Sequence, residues 1–336
     1  MKYKKNKMFF CSTDIGSSKI AVTISNNKSP ILRLVQPTNK KGSPETIGFQ
    51  CLNLIKLICK KIDIKIEQIL SLGVSSCGPF AKQDGKTVLI APNLCGGLTE
   101  KSNLPNKWTS IPLESILMTC FKDIKLINDC IAALHGEKHF GAAHNVPNCI
   151  YVTWSTGVGF GICVDGSILE GKNGNAGHAG HMLLSENSNF FCECGNNGDL
   201  EGLTSGYSLF KKYKKNPIEI FSDAKNGDKF SIEILKNSSK WFGRGLYNLI
   251  TCLDISKIIL GGSIWRNNKN FLLPLLRAEI DGRFSALTDG VVIQNAYLDE
   301  LVTDIGATSI VLPMHCINEW KKNKPWKNLK SIFLDL

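Results

Sequence analysis

Between Gly174 and Glu201 the chain gathers side chains whose types suit chemistry better than packing. The stretch begins Gly174-Asn175-Ala176-Gly177-His178-Ala179-Gly180-His181 and ends Cys192-Glu193-Cys194-Gly195-Asn196-Asn197-Gly198-Asp199-Leu200-Glu201. Glycines loosen the first part, which delivers two histidines. A tight turn in the second part presents two thiols and then two carboxylates. Such a segment packs little core, so its residues serve chemistry or a metal ion. Of the 13 cysteines, only Cys192 and Cys194 have ligand-like spacing. Others, including Cys51, Cys59, Cys120 and Cys252, sit among apolar neighbours and read as small hydrophobes.

Two further places have the makings of phosphate sites. Asp14-Ile15-Gly16-Ser17-Ser18-Lys19 ends an apolar run with a carboxylate and then exposes consecutive backbone N–H groups. Such a turn forms an anion-binding nest, with Ser17 and Ser18 as extra donors. Asp14 would sit where a hydrated Mg²⁺ needs a carboxylate beside phosphates. Taken alone, this turn is better explained as a plain hairpin. Thr153–Gly159 repeats the device with Ser155, Thr156 and Gly157. Two facing turns of this kind favour a nucleotide triphosphate, although neither is a Walker loop or a dinucleotide fingerprint. Gly261-Gly262 would admit a flat group such as adenine, or would simply turn a strand into a helix. Ile127-Asn128-Asp129 places a carboxylate between a strand and a helix, where it is either a general base or a helix cap.

These residues need elements to hold them. Met8–Asp14 and Lys19–Ser25 read as strands joined by the first turn, and Cys149–Ser155 and Phe160–Val164 as strands joined by the second. Ile47, Cys51, Leu54, Ile55 and Ile58 give Thr46–Ile62 the spacing of a helix with one buried face. Further strands are expected at Ile69–Ser75, Ile124–Ile127, Lys257–Leu260 and Val291–Asn295. Helices are expected over Ala132–Phe140, around Ile232–Cys252 and from about Gly306. The recurrence of strand, glycine turn and strand suggests two related lobes facing each other across a cleft. Lys321–Lys330 reads as a solvated tail.

At 336 residues there is room for two α/β domains. No apolar run is long enough to span a bilayer or form a signal peptide, which points to the cytoplasm and away from membranes. The net charge of +11 raises nucleic-acid binding. Yet only five of the 40 basic residues are arginine, and the lysines are spread along the chain. Recognition of nucleic acid favours arginine and clustered patches, so no nucleic-acid partner is expected.

The motifs Asp14–Lys19, Gly73–Pro79, Asn128-Asp129, Thr153–Gly161, Gly174–His181, Cys192–Glu201, Ile258–Gly262 and Asp304–Ala307 resemble, in content and order, those of the ROK family of sugar kinases and repressors. The resemblance implies an α/β, two-lobed actin-like (ribonuclease H-like) ATPase fold with mixed sheets, flanking helices and an interlobe cleft. The expected division is residues 1–127 for the N-terminal lobe, completed by a C-terminal helix at about 313–336, and 128–312 for the second lobe. By resemblance, Asp129 is the base that deprotonates a sugar hydroxyl for attack on the γ-phosphate of ATP. Asn93, Asn128, His181 and Glu201 match sugar-holding residues. His181 also matches a zinc ligand, together with Cys192 and Cys194. The cofactors implied are ATP, Mg²⁺ and a structural Zn²⁺, and the assembly implied is a homo-oligomer, a dimer first. The family's repressors carry an N-terminal DNA-binding domain, for which a first strand near Met8 leaves no room.

Two departures from the family pattern stand out. His178 occupies the place of the usual Glu in Glu-x-Gly-His, which makes it a sugar contact, a loop residue or a spare metal ligand. Asp199 occupies the place of a third cysteine, and a carboxylate oxygen can complete a tetrahedral zinc site. The expected function is ATP-dependent phosphorylation of a hexose or N-acylhexosamine. The alternative is a non-catalytic sugar sensor that retains the fold.

Overall fold

A computed structural model describes residues 8–100, 102–186 and 189–336. The chain forms two compact units, one comprising residues 1–144, 170–175 and 300–336 and the other residues 145–169 and 176–299. The strands are β1 (Phe9–Ile15), β2 (Lys19–Asn26), β3 (Pro30–Pro37), β4 (Ile69–Ser76), β5 (Phe80–Gln83), β6 (Lys86–Leu89), β7 (Ile124–Asn128), β8 (Cys149–Trp154), β9 (Val158–Val164), β10 (Ser167–Ile168), β11 (Lys257–Gly261), β12 (Val292–Asn295) and β13 (Ser331–Phe333).

The first unit is built on a six-stranded sheet in the order β13-β3-β2-β1-β4-β7. β1 is buried along almost its whole length, as its apolar start demands of a central strand. It pairs antiparallel with β2 and parallel with β4, which is parallel to β7. The helix Thr46–Lys61 buries Ile47, Cys51, Leu54, Ile55 and Ile58, and Lys60 and Lys61 complement the negative end of its dipole.

The second unit repeats the plan in the order β10-β9-β8-β11-β12. Here too a hairpin, β8–β9, precedes a parallel strand, β11, laid beside its first strand. The long helix Lys229–Leu253 covers this sheet, with Phe242 stacked on Trp154 at 3.8 Å between ring centroids.

Three expectations for individual elements change. The helix after β7 starts at Asp129, not Ala132, because Asn128 caps it by accepting from the Cys130 N–H at 2.9 Å. The last helical region begins at Val302 rather than Gly306, stops at Ser309, and resumes after Pro313 as Met314–Asn323. Lys321–Lys330 is no solvated tail: Trp326 is buried against Phe140, and the following β13 adds an edge strand beside β3. The change of unit falls at His144 and Asn145, beyond residue 127, because the helix Asp129–Phe140 packs on the helix Val302–Ser309 of the first unit.

That helix pair sits unusually close. A Cβ on Gly306 would lie 1.9 Å from the carbonyl oxygen of Ala132, and one on Gly73 2.0 Å from that of Ala307. Neither backbone can yield as a flexible side chain would. Gly306→Ala is therefore expected to cost about 1–3 kcal/mol through overpacking, read as a lower melting temperature. An unchanged melting temperature would contradict this contact.

Candidate functional site

In the first unit, parallel pairing brings the carboxyl ends of three strands together. Asp14 lies opposite Ser75, and Ser76 opposite Asn128. Ligands of open α/β sheets bind at this end of the strands. Asp14 is held from both sides. Its Oδ1 accepts from Ser75 Oγ at 2.8 Å and its Oδ2 from Thr303 Oγ1 at 2.9 Å. Burial, then the neighbouring Asp304 charge, raise the Asp14 pKa to about 7. Asp304 is itself bound at both oxygens by the buried Arg33, at 2.7 and 2.9 Å. A strand-end carboxylate whose charged form is disfavoured by burial and by a neighbouring acid suits a cation such as a largely hydrated Mg²⁺ beside phosphates.

The turn after Asp14 is closed by the Gly16 N–H donating to Lys19 O at 2.9 Å. Thr38 steadies it, its Oγ1 donating to Gly16 O at 2.8 Å and its N–H to Ser18 O at 3.1 Å. Ser17 stays half-buried, and Ser18 and Lys19 are exposed.

Asp129 follows the cap rather than forming it. Its Oδ1 accepts from the Cys130 N–H at 2.8 Å. Burial raises its pKa, against the lowering effect of bonds from Cys130 and Asn128. The Asn128 side chain is thus engaged with Cys130 and Asp129. Asn93 is half-buried near Cys77, whose thiol donates to its Oδ1 at 3.7 Å.

The second unit holds the other expected residues. Trp154 fixes the end of β8 by donating from Nε1 to Thr204 O at 2.9 Å. In the turn that follows, the Ser155 N–H donates to Gly157 O at 2.9 Å. Carbonyls of Ser155 and Thr156 accept from the N–H groups of Gly206 and Tyr207, and the Ser155 and Ser263 hydroxyls lie 3.0 Å apart. Beside them lies a cavity of about 690 Å³, lined by Ser155, Thr156, Tyr207, Phe210, Phe221, Ser263 and Asn268 among others. That volume and mixture of aromatic and amide groups suit a nucleoside.

Gly261 and Gly262 have a reason of their own to be glycine. A Cβ on Gly262, whose φ is +88°, would meet Trp154 O at 2.4 Å, and one on Gly261 would meet the Tyr151 hydroxyl at 2.7 Å. The chain's own packing fills both places, and the cavity lining starts at Ser263. Sequence reasoning missed Tyr207, Phe210 and Phe221 because they are spaced through Lys-rich helical sequence without a motif.

His181, Cys192, Cys194 and Asp199 converge, with ligand atoms all within 4.8 Å of one another. Asp199 divides its oxygens between two tasks. Oδ1 caps the helix Leu200–Thr204 by accepting from the Gly202 N–H at 2.7 Å, and Oδ2 faces His181 Nδ1 at 3.1 Å and Cys194 Sγ at 3.5 Å. Cys192 Sγ lies 3.7 Å from the same imidazole nitrogen. Tetrahedral zinc with nitrogen, oxygen and sulfur ligands implies ligand separations of about 3.2–3.8 Å, and the three separations above lie close to that range. Left to one another, the groups share protons. The Asp199 hydrogen bond pushes His181 up to about 10, and the Cys192 hydrogen bond draws Cys194 down to about 5. His178 stands outside the cluster, its ring 6.1 Å from that of His181.

Glu201 joins this cluster to the second turn. Its Oε2 accepts from the Val158 N–H at 2.8 Å and its Oε1 from Cys192 Sγ at 3.1 Å, while burial raises its pKa. Asp14, Gly16–Lys19, Asn93, Asn128 and Asp129 therefore belong to one unit, and the remaining expected residues to the other.

The repeated sheet plan is that of a two-lobed, actin-like fold. The chain belongs to the ROK family, whose sequence model matches residues 10–312. It is 26% identical over 320 residues to a xylose repressor of Caldicellulosiruptor bescii, covering 89% of this chain and 77% of that protein. It is 29% identical over 257 residues to an N-acetylmannosamine kinase of Haemophilus influenzae, covering 75% and 79%. The crystal structure of a ROK hexokinase from Thermus thermophilus superposes with a TM-score of 0.71 at 24% identity, covering 90% and 97%. The family thus includes both sugar kinases and repressors.

The raised Asp14 pKa has a consequence for stability. The native state holds this proton up to about pH 7, whereas the ordinary value is 3.8. Asp14 therefore contributes stability that is complete below the unfolded value and is lost as pH rises through the folded one. Without divalent cations, Asp14→Asn should gain stability relative to wild type between these limits and no further above them. Thermal denaturation across that range checks this, and parallel curves would reject it.

Proposed function

We propose that this protein is an ATP-dependent kinase that phosphorylates a hydroxyl of a hexose or N-acylhexosamine. The observation that carries the reading is Asp129. It is a half-buried carboxylate with raised proton affinity at the end of a parallel strand, with capping left to Asn128. Asp129 accepts the proton of the sugar hydroxyl as its oxygen bonds to the γ-phosphorus of ATP. The bond from that phosphorus to the bridging oxygen breaks, and ADP leaves with the electron pair.

Asp14 holds Mg²⁺, which when bound neutralises phosphate charge. Gly16, Ser17, Ser18, Lys19, Ser155, Thr156 and Gly157 are the proposed phosphate donors. The nucleoside occupies the cavity beside Ser155 and Ser263, close in sequence to Gly261 and Gly262. Asn93, Asn128, His178, His181 and Glu201 hold the sugar. The kinase relative and the hexokinase fold support phosphoryl transfer to a sugar.

A second reading rests on the repressor relative and on His178. It is a sugar sensor without catalysis. A binding module has no use for a strand-end base or a magnesium carboxylate, so Asp129 and Asp14 favour the kinase.

ADP release should be measured with glucose, N-acetylglucosamine, N-acetylmannosamine and xylose. Asp129→Asn is expected to lower kcat by about 10²–10⁴-fold while sugar affinity stays within about threefold. Full turnover in that variant would sink the base assignment. Sugar binding by calorimetry without ADP release from wild type across the panel would instead establish the sensor.

Zinc, when bound, fixes the loop that aims His181 and performs no step of the transfer. His181, Cys192, Cys194 and Asp199 would hold it. Elemental analysis should find about one zinc per chain, as a single four-ligand site requires. Asp199→Asn should lose it to a chelator faster than wild type, whereas His178→Ala should retain it. Zinc loss from the His178 variant alone would reassign the fourth ligand.

A further inference from the structure

Asn175 immediately precedes the segment that carries His178 and His181, and its side chain is fully committed elsewhere. The Phe80 N–H donates to its Oδ1 at 2.7 Å, and its Nδ2 donates to Phe80 O at 2.8 Å. A carboxamide offers one donor and one acceptor at the spacing of a peptide group. Asn175 therefore serves the first residue of β5 as a neighbouring strand would. Phe80 is only 2% exposed, so the anchor itself is fixed in the core.

Residues on either side confirm how tightly this point is held. Gly174 has φ of +80°, and a Cβ there would lie 3.2 Å from the Phe80 ring. Gly177 has φ of +87°, and a Cβ there would lie 2.3 Å from Phe160 O in β9. Residues 170–175 belong to the first unit, whereas the chain before and after them belongs to the second.

We propose that Asn175 is a positioning residue for the histidine loop: by satisfying both backbone groups of Phe80, it fixes the start of the segment that carries His178 and His181. The functional part of this inference rests on the reading of those histidines as sugar-holding residues. Alanine would remove both bonds. Aspartate would keep the acceptor for the Phe80 N–H and turn a second oxygen towards Phe80 O, which it cannot satisfy.

The test combines hydrogen exchange with calorimetry on the full chain, using glucose, N-acetylmannosamine and a non-hydrolysable ATP analogue. In Asn175→Ala, the amides of Phe80 and of residues 176–181 should exchange about tenfold faster, as loss of one or two hydrogen bonds implies. Exchange in β8 should not change. Affinity for the sugar that binds wild type should fall about tenfold while nucleotide affinity stays within about twofold. Asn175→Asp should be intermediate in both, and it serves as the test if the alanine variant fails to fold.

Unchanged exchange at 176–181 overturns the clamp. Faster exchange with unchanged sugar affinity overturns its positioning role. If wild type binds neither sugar, exchange still decides the clamp, and it is the sugar reading that fails.

Discussion

The short helix Val302–Ser309 is the constraint on which the first unit's chemistry depends. Thr303 holds one oxygen of Asp14, and Asp304 is locked to Arg33 by two buried bonds. Gly306 lets the helix touch the backbone of Ala132, one turn into the helix that Asp129 begins. The Ala307 carbonyl lies against Gly73 in β4. One element from the far end of the chain thus sets the heights of both strand-end carboxylates. The buried ion pair is weak grounds for net stability, because desolvation opposes the attraction. Its directional bonds are better understood as fixing which turn of the helix faces Asp14.

The second unit solves a similar positioning problem with two carboxylates separated by Leu200. Asp199 spends one oxygen capping its helix and turns the other to the thiols and His181. Glu201 reaches in two directions, to the Val158 N–H of the glycine turn and to Cys192. Any change in the cysteine turn is therefore felt by the hairpin through a single side chain. Gly157 shows how little slack there is, since a Cβ there would stand 2.9 Å from Glu201 Oε2.

Features that depend on local rules were legible in the sequence. The paired hairpins announced themselves through apolar runs around glycine and serine. Asn128-Asp129 did so through a polar pair at a strand-to-helix change, and Cys192 and Cys194 through ligand spacing. Features that depend on distant contacts were not. Trp326 is buried because Phe140 waits for it, and the lysines around it concealed that. The same composition hid the aromatic lining of the cavity. Gly261 and Gly262 were visible as glycines, but their cause, the side chain of Tyr151 and the backbone of Trp154, exists only once β8 and β11 are side by side.

The two departures from the family pattern differ physically. Asp199 puts an oxygen where the family pattern has a thiol while keeping a donor atom aimed into the cluster, and it gains a helix cap that a thiolate would make poorly. Under the proposed zinc reading, four donors remain and the softness of the set falls. His178 lies outside that cluster, so no metal geometry constrains it. Replacing a carboxylate by a neutral imidazole exchanges two acceptors for one acceptor and one donor. A sugar that satisfied the carboxylate with two hydroxyl donors would leave one of them facing an N–H, so a different arrangement of hydroxyl or N-acyl groups is favoured. On the proposed reading, the departure at 199 therefore bears on how firmly the loop is held, and the departure at 178 on which sugar it would hold.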